Sequence, residues 1–124
     1  MLAIALGVSA CGGSRSPESR VRAAWSQLKS ALVSQDAGKF CSLLSDHARS
    51  QVVEGARRLG SASTCQGAAR LAFHAPGSSR SSTEKLQIVS ITVNGDRASV
   101  KVSAGLPPTV FIKVGGAWKL KSLD

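Results

Sequence analysis

The sequence predicts an α+β domain, with N-terminal helices packed on a bent antiparallel β-meander of about four strands. Periodicity is the first observation behind this. Apolar residues recur at spacings of three and four from Val21 to about Phe73, and from Leu86 onward the period becomes two. Punctuation is the second. Ser16-Pro17, Asp36, Ser45 and Ser63-Thr64 stand where helices begin, whereas Asn94-Gly95 and Gly115-Gly116 stand where hairpins turn.

Ser16-Pro17-Glu18 combines an N-cap hydroxyl, a proline at the first helical position and an acid in the first turn. Val21, Ala24, Trp25, Leu28, Ala31 and Leu32 then form one stripe, which predicts a helix over 17–34. Asp36 caps a short second helix over 37–44 that presents Phe40, Leu43 and Leu44. Ser45 caps a third over 46–59, with Ala48, Val52, Ala56 and Leu59 turned inward. A fourth runs from Ser63 or Thr64 to about Phe73, using Cys65, Ala68, Ala69 and Ala72. Residues 74–82 read as a polar loop.

Residues 86–93 and 98–102 read as strands joined at Asn94-Gly95. This turn pairs Val93 with Asp96, Ile91 with Ala98 and Val89 with Val100. It gathers Val89, Ile91, Val93, Ala98, Val100 and Val102 on one face. Residues 109–114 and 118–123 form the second hairpin. A two-residue loop there pairs Ile112 with Lys119 and mixes the faces. A three-residue loop, Gly115 to Ala117, pairs Val114 with Trp118 and Ile112 with Leu120, and sends Lys113, Lys119 and Lys121 outward together. That register, or an equivalent bulge, is the expected one.

A chain of 124 residues with no internal repeat holds one domain. Sixteen Lys and Arg against seven Asp and Glu give a formal charge of +9. The cations are spread along the chain and aromatics are few, which argues against nucleic acid, whose binders present a basic stripe with stacking rings. The charge fits anionic lipid headgroups or cell-wall polymers, and equally a surface that is simply well solvated.

Met1 to Ala10 is an uncharged apolar run, too short for a stable membrane span. It ends in Val8-Ser9-Ala10-Cys11, followed by Gly12-Gly13-Ser14-Arg15-Ser16. This arrangement resembles the lipobox of bacterial lipoproteins: an aliphatic residue, two small residues, then the cysteine that receives lipid. The resemblance implies a signal peptide over 1–10, lipid attachment at Cys11, a flexible tether to residue 16 and a domain over 17–124. It places the protein on the extracytoplasmic face of a cell membrane. Two acyl chains anchor stably where one does not. No Lys or Arg precedes the apolar run, which implies that translation starts upstream of Met1. The other reading of this segment is an apolar tail tucked against the domain.

Cys41 and Cys65 remain as an even pair in an oxidising compartment, which predicts a disulfide. It closes a loop of about 25 residues, worth roughly 3.5 kcal/mol by chain entropy. Free thiols are the alternative. A zinc site with His47 and His74 is a third reading, but Cys-x5-His and Cys-x8-His match no common zinc pattern. No metal or cofactor is expected.

The first helix with its central Trp25, the Asp36-capped helix carrying Phe-Cys-Ser-Leu-Leu-Ser, and a meander ending in Gly-Gly-Ala-Trp-Lys-Leu together resemble the NTF2-like superfamily, above all its small actinobacterial lipoproteins. The resemblance covers residues 17–123. It implies a cone of helices on a bent sheet, often with a pocket, here lined by Trp25, Leu28, Phe40, Val100 and Trp118. Some enzymes of the superfamily use an Asp or His in the cone as a base. Asp46, His47 and His74 are the candidates, yet each has an ordinary explanation: an acid in a helix's first turn, its surface neighbour, and a residue at a helix end. No nucleophile elbow, phosphate loop or triad is present, so no catalytic residue is assigned. The expected function is binding without catalysis, of a small apolar ligand, an envelope component or a partner protein. An isomerase or cyclase of the NTF2-like type is the alternative.

Overall fold

The computed structural model describes residues 16–60, 63–74 and 80–123. Among the described residues, five helices precede a four-stranded antiparallel sheet in the order β1-β2-β3-β4, an α+β arrangement. The helices are α1 (Pro17–Ser34), α2 (Ala37–Ser42), α3 (Asp46–Ala56), α4 (Cys65–Phe73) and α5 (Arg80–Glu84). The strands are β1 (Ile88–Asn94), β2 (Arg97–Val102), β3 (Thr109–Val114) and β4 (Ala117–Leu120).

The starts of α1 to α4 are each made by a short polar side chain that satisfies a free backbone N–H. Ser16 Oγ accepts from Ser19, Asp36 from Lys39, Ser45 from Ala48 and Thr64 from Gly67. α1 ends at Gln35, a non-glycine residue at φ 57°, whose N–H reaches the carbonyls of Ala31 and Leu32. Its side-chain amide donates to Phe73 O at 3.1 Å, which ties the end of α1 to the end of α4.

Val21, Ala24, Trp25, Leu28 and Ala31 of α1 are buried as the stripe predicts, and with Phe40, Leu44, Val52, Val100, Phe111, Trp118 and Leu120 they build one core. α3 stops at Ala56, three residues early, and Leu59 stands 48% exposed rather than inward. α2 stops at Ser42, because Leu43 and Leu44 leave the helix to lie beside β4 in a parallel bridge, Leu44 to Leu120. Leu120 N–H donates to Leu43 O at 2.8 Å, and Ser45 N–H to Leu120 O at 2.9 Å. The helical layer is thereby hydrogen-bonded to the edge of the sheet. Part of the expected 74–82 loop is instead the short helix α5.

The first hairpin turns one residue later than expected, at Gly95-Asp96, with Asn94 opposite Arg97, Val93 opposite Ala98 and Ile91 opposite Val100. The faces survive this shift, since partners move by two residues and side chains alternate with period two. Val89 is the exception: the pairing is irregular between Ile88 and Ser90, and Val89 is 61% exposed. In the second hairpin the two-residue loop forms. Val114 lies opposite Ala117, Lys113 opposite Trp118, Ile112 opposite Lys119 and Phe111 opposite Leu120. Gly115 and Gly116 both have positive φ, 58° and 84°, which suits a tight two-residue turn. A one-residue difference flips one strand against the other. Phe111 faces the helices and is fully buried, while Ile112 and Val114 face away with Lys119. Lys113 falls on the helix-side face at the exposed hairpin end.

Candidate functional site

Cys11 and the apolar run before it lie outside the described residues. Cys41 and Cys65 are joined in a disulfide, Cα to Cα 6.1 Å, which staples α2 to α4. Both thiols are consumed by this bond and neither serves as a metal ligand. Arg49 Nε donates to Cys41 O at 3.0 Å and braces the same corner from α3.

The five expected pocket-lining residues separate. Trp25, Leu28, Phe40 and Val100 belong to the packed core. Trp118 is also largely buried, yet it borders a surface cavity of about 600 Å³ between α1 and β4, together with Arg20, Ala23, Gln27 and Lys119. The indole N–H of Trp118 is buried without an acceptor among the described residues. A buried N–H left without an acceptor carries a desolvation cost of about 1–3 kcal/mol.

A second cavity, about 380 Å³, lies where the start of α3 meets the outer face of β3 and β4. Leu44, Ile112 and Val114 supply its apolar wall, and Arg49, Lys119 and Lys121 its cations. Ser45 holds this junction. It is buried, its Oγ accepts from Ala48 N–H at 3.1 Å, and its hydroxyl donates to Lys121 O at 2.9 Å. Lys119 Nζ donates to Ser42 O at 2.7 Å, so its charge is held beside the α2–α3 corner.

Asp46 and His47 border the same cavity, while His74 is the C-cap of α4 and lies elsewhere. All three are exposed. Asp46 is fully in solvent and pairs with Arg49 at 3.3 Å. General-base work needs a group withdrawn from water, and neither Asp46 nor His47 is withdrawn.

The outer face of the sheet, opposite the helices, was visible in the sequence only for its first two strands. Its cross-strand rows are Asn94–Arg97–Ile112–Lys119, then Thr92–Ser99–Val110, then Ser90–Lys101. Lys121 continues it past β4, since its N–H donates to Val110 O at 2.9 Å. Placing Ile112 and Val114 on this face follows from the Gly115-Gly116 turn geometry.

No family profile matches the chain, and neither a curated protein nor a solved structure matches it. Among the described residues, no helix is long and apolar enough to cross a membrane.

Proposed function

We propose that this chain is an extracytoplasmic lipoprotein whose single NTF2-like domain binds without catalysis. Residues 1–10 are the signal peptide, Cys11 carries a diacylglyceryl group of palmitate-like acyl chains, and residues 12–16 are the tether. The observation that carries this reading is Val8-Ser9-Ala10-Cys11 at the end of an uncharged run, followed by Gly-Gly-Ser. Lipid transfer needs a thiol, and cleavage before it needs small side chains. The Cys41–Cys65 disulfide is what an oxidising compartment favours. The order of helices and strands, with Trp25 and Trp118 both in the core, supports the superfamily assignment.

The bound species is a small apolar ligand, an envelope component or a partner protein. The mixed apolar and cationic cavity at Ile112, Val114, Lys119 and Lys121 is a place suited to receive it. The enzyme alternative has one observation in its favour, the placement of Asp46 and His47 at that cavity's edge.

Intact-mass measurement of the protein made in a lipidating bacterium tests the anchor. The expected mass lacks residues 1–10 and gains a diacylglyceryl group. A parent chain whose mass keeps residues 1–10 and carries no diacylglyceryl group overturns the assignment. Loss, in Asp46→Asn or His47→Ala variants, of a turnover measured with the parent would favour the enzyme reading.

A further inference from the structure

We propose that the outer face of the sheet is a docking surface for an anionic lipid bilayer, with Arg97, Lys101, Lys119 and Lys121 contacting headgroups and Ile112 and Val114 set between them. The proposal deepens the lipoprotein reading by giving the domain an orientation.

Charge segregation is the first argument. Residues 88–121, which span the sheet, carry five basic residues and a single acid, Asp96, located in the β1–β2 turn. The ion pairs among the described residues all lie on helices or at their ends: Glu18 with Arg22, Asp46 with Arg49 and Glu54 with Arg57. Arg22, Arg49 and Arg57 are thus locally neutralised, whereas Arg20, Lys39, Arg58 and Arg70 have no carboxylate partner among the described residues. The outer-face cations have no carboxylate partner among the described residues, and Lys119 is held by a neutral carbonyl.

Arrangement is the second argument. Strands lie about 4.8 Å apart, so the backbones at Arg97 and Lys119 flank that at Ile112, roughly 10 Å from one another. Val114 is 50% exposed, and Ile112 and Val110 are half-buried. An apolar strand between two cationic ones matches a surface whose anionic headgroups overlie hydrocarbon. A soluble polyanion would gain nothing from the exposed aliphatic side chains.

Position is the third argument, and the only one that uses the lipidated Cys11. Ser19, Arg20 and Ala23, in the first turns of α1, share a cavity with Gly116, Ala117 and Lys119. The chain therefore enters the domain beside the β3–β4 hairpin. About five residues separate Cys11 from α1, a reach of at most roughly 18 Å. A lipid on Cys11 keeps that hairpin close to the bilayer.

The test uses the full chain with Cys11→Ala, so that binding does not depend on the anchor. Flotation with phosphatidylcholine vesicles, alone or mixed with phosphatidylglycerol, reads the surface directly. Each cation near an anionic bilayer strengthens binding by about fivefold. Reversing Arg97, Lys101, Lys119 and Lys121 to Glu is expected to weaken binding to the mixed vesicles by about a hundredfold or more. Reversing Lys39, Arg57, Arg58 and Arg70 on the helical side is expected to leave most of it. If the fourfold variant fails to fold, Arg97→Gln with Lys101→Gln, both exposed, is expected to cost roughly twentyfold. Equal loss from the sheet and helix variants overturns the proposal. So does equal binding to vesicles with and without phosphatidylglycerol, and so does retention on polyglutamate without any vesicle binding. Failure of lipidation at Cys11 in the intact-mass experiment removes the anchor but leaves this outcome standing.

Discussion

On the helix-side face of the sheet, Ala98, Val100, Val102, Phe111, Trp118 and Leu120 are buried. On the opposite face the same strands present Arg97, Lys101, Lys119, Val110, Ile112 and Val114, none of them buried. Composition alone would not separate the two, since Phe111 and Ile112 are adjacent and both apolar. What separates them is the pleat, which sends neighbours to opposite sides, together with a helical layer that covers only one side. One face is therefore committed to the core and the other is open to solvent.

Substitutions at Phe111 and Ile112 sharpen that comparison most. Phe111→Ala is expected to lower unfolding free energy by about 3–5 kcal/mol in a denaturant titration, because it empties a fully buried ring site. Ile112→Ala is expected to cost less than about 1 kcal/mol, since its side chain is already half in water. Equal costs would mean that the outer face is packed against something.

Removing the α2–α4 staple comes next. Cys41→Ala with Cys65→Ala is expected to cost about 3.5 kcal/mol, read as a lowered denaturation midpoint that reductant no longer changes. If parent and variant melt alike, the helical layer does not depend on the staple.

Ser45→Ala probes the joint between the layers. It removes the α3 N-cap and the hydroxyl bond to Lys121 O together, and is expected to cost about 1–2 kcal/mol. The smallest expected effect is at Trp118. Trp118→Phe keeps an aromatic ring in the core and removes the unpaired N–H, so a change below about 1 kcal/mol is expected by thermal melting. A much larger loss would show that the indole N–H has an acceptor.

Helix starts were readable from the sequence because capping is local. Ser16, Asp36, Ser45 and Thr64 each act within three residues of themselves, and all four cap as the sequence implies. Helix ends were less readable, since α2 ends where Leu43 and Leu44 are drawn off to pair with β4, a long-range event. The β3–β4 register was misjudged for a similar reason. Pairing Val114 with Trp118 and Ile112 with Leu120 maximised the apolar content of one face, but the glycine pair supports the tight turn, and Phe111 fills the core instead. The cationic outer face was hidden by that choice. The disulfide pairing was readable because only two cysteines remained once Cys11 was assigned to lipid.

The two-face account is tested most directly on the Cys11→Ala protein bound to anionic vesicles, with single fluorescent labels at Thr92→Cys or Ala72→Cys and a quencher attached to lipid headgroups. Thr92 is exposed on the outer face of β1, and Ala72 is exposed on α4, which packs on α2 and α3. The account predicts strong quenching at position 92 and little at position 72. Equal quenching at both, or the reverse order, would contradict it.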